Sequence, residues 1–142
     1  MKVVVQRVSQ AKVLIDKNPV AQIGRGLLLL VGIENKDQAQ EKKMADKILK
    51  LRIFEDKNIK MNLSVLDIKG EILVVPQFTL IADTSANRPY FGNAANPEIS
   101  QPIFNQLLLE LKKSKLRVES GVFGAKMKVE LINSGPVTII LE

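Results

Sequence analysis

Gly26-Leu27-Leu28-Leu29-Leu30-Val31-Gly32-Ile33 is an apolar run between glycines with no polar residue inside it. A strand with one wet face alternates apolar with polar residues. A strand covered on both faces does not, and this run reads as the second kind. Ile72-Leu73-Val74-Val75 repeats the signal after Gly70, in a strand over Glu71–Val75. Covering both faces of a sheet calls for more than a simple hairpin fold. Outward from these runs, Lys2–Val8 and Ala11–Asp16 read as strands rich in Val and Ile, followed by a Lys17-Asn18-Pro19 turn. Asp37, with Gln40 three residues on, predicts a capping-box start to a helix carrying Met44, Ala45, Ile48 and Leu51 on one face. Arg52–Asp56 ends it, and Asn58–Asp67 is a connection of mixed character. Asn96-Pro97-Glu98 opens a second helix with a cap, a first-turn proline and an acid against the dipole. Ile99, Ile103, Phe104, Leu107, Leu108 and Leu111 form its apolar stripe. Leu116–Ser120, Lys126–Ile132 and Val137–Leu141 read as three closing strands, the last two joined by an Asn133-Ser134-Gly135-Pro136 turn. The order implies one α/β domain over residues 1–142, with a mixed sheet and two main helices.

Composition bounds the function. A chain of 142 residues, 46% hydrophobic and 25% charged, is sized for one globular core. It has no cysteine, which removes disulfides, zinc fingers and dithiol redox motifs, and no histidine, which removes the usual general base. The N-terminal apolar run is too short for a signal peptide, and Leu27–Val31 is too short to span a bilayer. The expectation is a cytoplasmic protein without a membrane partner. The net charge of +6 suits a polyanionic partner and equally suits plain solubility.

Few segments offer chemistry. Pro76 cannot donate to a ladder, so regular pairing on one side should stop there. Gln77-Phe78-Thr79-Leu80 then leaves the strand for the irregular stretch Ala82–Asn96. Backbone N–H groups freed at such a strand end can form an oxyanion hole, where one donor is worth about 10²–10³ in rate. Thr79 adds a hydroxyl and Gln77 an amide; an ordinary strand end has the same composition. Gly135-Pro136 reads most simply as a hairpin turn. Asp67 and Glu71, separated by Gly70, read as turn chemistry. Lys42, Lys43, Lys47, Lys50 and Arg52 read as a solvated helix face, while Lys112–Arg117 suit the negative end of the second helix. No residue pattern calls for a metal or a cofactor.

Taken together, a set of ordered segments resembles the D-aminoacyl-tRNA deacylase family along the whole chain. They are Val5-Gln6-Arg7-Val8, Leu51–Asp56, Lys60-Met61-Asn62, Ser64-Val65, Asp67-Ile68, Gly70–Leu80, Arg88-Pro89, Phe91, Ala94-Ala95 and Pro97. Gly121, Phe123-Gly124-Ala125, Met127, Asn133 and Gly135-Pro136-Val137-Thr138 complete the set. The resemblance implies a homodimer with a three-layer β/β/α sandwich. It implies hydrolysis of the ester between a D-amino acid, or glycine mischarged on tRNA(Ala), and the terminal ribose of tRNA. It places Gln77, Phe78 and Thr79 at the terminal adenosine and reacting ester. It makes the Gly135-Pro136 bond cis and sends that loop across the dimer into the neighbouring pocket, with Arg7 holding it and with Phe91 and Ala125 near the pocket. L-amino acids would be rejected by exclusion, and attack by water assisted by the ribose 2′-hydroxyl would need no histidine.

Three positions depart from the family pattern. Pro76 and Tyr90 stand where serine is usual, and Ser134 where aspartate is usual. Proline at the first position marks a sister group of tRNA deacylases with relaxed chirality. The retention of Arg7 and Phe78 resembles the D-specific branch. A non-catalytic RNA-binding module and a scaffold dimer are the remaining alternatives; the low aromatic content of 4% speaks against the former.

Overall fold

The computed structural model describes residues 1–142 throughout. Eight strands, two α-helices and one 3₁₀ turn follow one another as β1 (Lys2–Ile15), β2 (Asn18–Ile23), β3 (Gly26–Gly32), α1 (Glu41–Lys50), β4 (Phe54–Glu55), β5 (Met61–Leu63), β6 (Glu71–Pro76), the 3₁₀ turn Phe78–Ile81, α2 (Pro97–Lys112), β7 (Val118–Ser120) and β8 (Lys128–Leu141). Six strands make one mixed sheet; β4 and β5 form a small separate hairpin where the sequence suggested only a connection.

The run at Gly26 decides the layering as its composition implies. Leu27, Leu29 and Val31 enter a large core beneath the helices, with Ile48, Phe104, Leu107 and Leu111. Leu28 points the other way, into a second core with Val8, Val13, Ile23, Leu73 and Val75. The period-two alternation of a strand is therefore present, but both faces are apolar. β3 pairs in parallel with β6, from Gly26 opposite Glu71 to Val31 opposite Pro76. At Gly26 the two backbones approach so closely that an added Cβ would fall 1.8 Å from the Glu71 carbonyl oxygen.

β1 is a single 14-residue strand rather than two. Its first half pairs with β3 and its second half with β2, while β8 runs antiparallel along the other edge. One strand serving three partners curls the sheet until it nearly closes, which supplies two β layers from one sheet. The β1–β2 turn uses Asp16 and Lys17, both at positive φ (49° and 68°), the backbone of a two-residue hairpin.

Two expectations are corrected. The residues read as two closing strands joined by a hairpin belong to one strand, β8, both halves of which pair with β1 in the same direction. Between Gln6 and Val8 of β1, β8 advances from Thr138 back to Asn133, so Ser134–Val137 bulge out of the ladder instead of reversing it. Asp37 does not cap α1. That helix starts after Gln40 without a side-chain cap. The Asp37 carboxylate is buried against the Met1 α-ammonium and accepts from the Glu34 N–H at 2.6 Å. The second helix starts as expected, with the Asn96 side chain accepting from the Ile99 N–H at 3.1 Å. No helix is long and apolar enough to cross a membrane.

Candidate active site

The C-terminal ends of β3 and β6 open into a cleft of about 590 Å³, within the size range of small-molecule sites. Sequence builds each wall. Pro76 ends β6, and pairing of β6 with β7 has already stopped at Val74 opposite Ser120. The Gln77 N–H donates to the Val31 carbonyl at 2.7 Å, tying the strand exit back to β3. Phe78–Ile81 then form the 3₁₀ turn, anchored by buried Ile81. Gly32 lets this turn settle against β3: a Cβ there would lie 3.0 Å from Leu80 Cβ and 3.1 Å from the Gln77 carbonyl oxygen. The amides of Phe78 and Thr79 open the turn and have no acceptor inside it.

Val31, Ile33, Val75 and Pro76 line the cleft beside Gln77 and Phe78. Ala94, Ala95, Pro97 and Ser100 bring in the start of α2, where the Ala95 N–H donates to the Ile33 carbonyl at 2.9 Å. Phe123, Gly124, Ala125, Met127 and Val129 form the remaining wall. Phe91 meets Phe78 edge to face, with ring centroids 5.3 Å apart and planes at 71°. Of the site residues expected from sequence, Gln77, Phe78, Phe91 and Ala125 line this cleft. Thr79 does not; its hydroxyl accepts a hydrogen bond from the Gln77 side-chain amide within the turn.

Arg7, Gly135 and Pro136 make a separate cluster at the β8 bulge. Buried Arg7 donates from Nε to the Ser134 carbonyl and from Nη1 to the Ile53 carbonyl, each at 2.8 Å. The Gly135-Pro136 bond is cis, with Gly135 at φ +137°. Asn133, which by residue type alone suits only a turn, closes the bulge from within. Its Oδ1 accepts from the Val137 N–H at 2.8 Å and its Nδ2 donates to the Thr138 hydroxyl at 2.9 Å. Asparagine beside Gly-Pro was the available signal, but it reads as turn chemistry as readily. Phe123, Met127 and Ala95 had carried the resemblance without an assigned role.

The cleft contains no titratable side chain. The shifted carboxyls lie elsewhere: Asp56 is lowered by the Lys60 and Asn58 backbone N–H groups, Asp67 by Ser64, Asp83 by Ser85 and Glu110 by Lys113. Lys36 is raised by its hydrogen bond to Glu34. No group of three or more His, Cys, Asp or Glu side chains comes together. The cleft can therefore offer apolar shape, backbone donors, an amide and a serine hydroxyl.

The family model for D-Tyr-tRNA(Tyr) deacylase matches residues 4–142. The chain is 56% identical to a D-aminoacyl-tRNA deacylase of Flavobacterium psychrophilum, over 100% of this chain and 97% of that one. It is 52% identical to a D-aminoacyl-tRNA deacylase of Lactobacillus acidophilus, over 100% and 99%. A solved structure titled c-Myc DNA Unwinding Element Binding Protein superposes with a TM-score of 0.94 at 43% identity, covering 100% of this chain and 98% of that one. A second, titled as a probable eukaryotic D-amino acid tRNA deacylase, gives 0.85 at 17% identity, over 99% and 97%, a likeness of fold.

Proposed function

The chain belongs to the D-Tyr-tRNA(Tyr) deacylase family, and from that premise we propose that it hydrolyses the ester joining a D-amino acid to the 3′-terminal ribose of tRNA. The observation that carries the mechanistic part is the cleft itself: apolar, placed at the Gln77-Phe78-Thr79 turn, and without an acid or base on its walls.

The terminal adenosine enters between the 3₁₀ turn and the Phe123–Val129 wall. The ester carbonyl faces the turn, where the Phe78 and Thr79 amides steady the negative charge that develops on its oxygen. Water attacks the carbonyl carbon, the C–O bond to the ribose breaks, and the ribose oxygen takes up a proton. The neighbouring ribose 2′-hydroxyl, held beside the leaving oxygen, relays that proton and gains its rate from proximity. Thr79 is an auxiliary group, since no base stands beside it to make it a nucleophile.

Chirality is judged by Gly135-Pro136 of a second copy in a homodimer. In one chain these residues form no part of the cleft lining, and they are exposed. A fixed bulge entering from a partner presents main-chain carbonyls to the substrate ammonium and fills the volume an L side chain would need. Glycine, having no side chain, is admitted, so glycyl-tRNA(Ala) is also a substrate. A relaxed-chirality reading draws on one observation, that Pro76 lines the cleft.

One experiment tests the whole reading: hydrolysis of D-tyrosyl-tRNA and L-tyrosyl-tRNA by the purified protein, alongside its mass in solution. Rapid release from the D-ester alone, by a dimer, is expected. Equal release from both supports the relaxed reading. Release from neither removes the proposal.

A further inference from the structure

Tyr90 is a well-fixed aromatic residue that the cleft does not use. Its backbone is pinned on both sides of one residue pair: the Asp83 N–H donates to the Tyr90 carbonyl at 2.8 Å, and the Tyr90 N–H to the Asp83 carbonyl at 2.9 Å. Its ring lies against the bare backbone of Gly92, where an added Cβ would fall 2.0 Å from the hydroxyl oxygen and 2.2 Å from Cζ. The side chain nonetheless remains 64% exposed.

Position gives this ring a meaning. The next residue, Phe91, lines the cleft and packs on Phe78. Tyr90 itself is not among the residues that line the cleft, so it stands at its rim. Arg88, two residues earlier, is exposed and takes part in none of the ion pairs of the chain. A solvent-facing ring with an unpaired arginine two residues away in the chain suits single-stranded nucleic acid, with a base on the ring and a phosphate on the cation. A single exposed apolar residue needs no explanation by itself. The pinned backbone, the glycine beneath the ring and the adjoining cleft are what set this one apart.

We propose that Tyr90 is a stacking platform for the unpaired nucleotide just upstream of the terminal adenosine of tRNA, with Arg88 against the adjoining phosphate. The proposal rests on the deacylase reading above. It adds a contact outside the reacting pocket, one that holds the single-stranded 3′ end in register without touching the ester.

Two readouts test it, the first independent of the activity. Tyr90 is the single tyrosine of the chain, so protein grown on 3-fluorotyrosine has one ¹⁹F resonance. That resonance should shift on titration with uncharged tRNA and stay in place with adenosine alone. In kinetics, Tyr90→Ser should raise KM for D-aminoacyl-tRNA by about 5- to 150-fold, the range for one lost base–aromatic stack, with kcat within about twofold. Its KM for 3′-O-D-aminoacyl-adenosine should match the wild type, and Tyr90→Phe should restore tRNA binding. An unmoved resonance with tRNA, or equal KM changes on both substrates, overturns the platform. If the wild type hydrolyses neither ester, the deacylase reading fails, while the ¹⁹F titration still decides the platform.

Discussion

Arg7 and Ser134 meet where β8 departs furthest from its ladder: the guanidinium Nε donates to the Ser134 carbonyl at 2.8 Å, and Nη1 reaches the Ile53 carbonyl at the same distance. One side chain thus joins the bulge that carries Gly135-Pro136 to the segment leading into β4. Arg7→Ala leaves two carbonyls without this donor. It should cost about 1–3 kcal/mol of stability, read by urea titration, and should loosen the bulge. Arg7→Lys cannot reproduce the planar fork and should recover only part of both stability and stereoselectivity. An Arg7→Ala protein with wild-type preference for the D-ester would detach Arg7 from the chiral step.

Gly135 and Thr79 should respond in opposite measure. At Gly135 an added Cβ would lie 2.8 Å from Arg7 Nη2 and 2.9 Å from Val137 Cγ2, and φ is +137°, where L side chains are strained. Gly135→Ala should reduce D-ester hydrolysis by at least about tenfold, because the bulge must shift away from Arg7. Thr79 lies off the cleft lining and its hydroxyl is engaged by Gln77. Thr79→Ala should stay within about threefold of wild type, as expected for loss of one exposed neutral hydrogen bond. The reverse order in single-turnover assays would move the chemistry onto the threonine hydroxyl.

The layering was legible in the sequence because it depends on local composition. Leu27, Leu28 and Leu29 need two apolar faces wherever they sit, and the two cores supply them. The bulge was not legible, because Asn133-Ser134-Gly135-Pro136 suits a reversal as well as an excursion. The choice is made by pairing with β1 and by Arg7, 127 residues away from Ser134. Asp37 escapes local reading for a related reason: its residue type and spacing suit a cap, but the Met1 α-ammonium takes the carboxylate instead. At the cleft, the strand end after Pro76 marks where Gln77 and Phe78 leave β6 to line it, whereas the Phe123–Val129 wall carries no such local mark.

Gly26 offers a direct check on the sheet. With a Cβ 1.8 Å from the Glu71 carbonyl oxygen, Gly26→Ala must push β3 and β6 apart at the start of their parallel pairing. A loss of about 1–3 kcal/mol or more is expected for overpacking against backbone, seen as a lower urea midpoint with an unchanged slope. Wild-type stability in this variant would contradict the β3–β6 register.

Acid stability should depend on turn carboxylates. Asp56 is lowered by the Lys60 and Asn58 N–H groups, and Asp67 by the Ser64 N–H and hydroxyl. A carboxyl lowered in the folded state adds stability above its unfolded pKa, and that stability is lost as the pH falls through the folded one. The window therefore opens at the ordinary carboxylate range and extends below it. Asp67 is exposed and Asp56 only half-buried, so the effect should be modest. The urea midpoint should fall as the pH drops through the ordinary carboxylate range and below it, and less steeply in Asp56→Asn and Asp67→Asn. Identical slopes in all three proteins would remove these turns from the acid response.

The pH dependence of catalysis should carry no protein ionisation near neutrality. The chain has no histidine, and the lowered carboxyls lie outside a cleft lined by apolar residues, glutamine, serine and backbone. A side-chain general base would add an inflection at its own pKa and usually a bell-shaped profile. In the proposed mechanism the reacting oxygen is steadied by amides, which do not titrate, and attack depends on water and the ribose hydroxyl. Single-turnover rates on D-aminoacyl-tRNA should rise steadily from about pH 5.5 to about pH 8.5, with any break assigned to the substrate α-ammonium. β-Fluorination of the D-amino acid side chain lowers the α-ammonium pKa and keeps the ammonium in place, and so separates the two sources: it should move a substrate break to lower pH and leave a protein break where it was. A break near neutrality that the fluorinated substrate does not move would require an ionising protein group in the reaction, and the amide-based mechanism would fail.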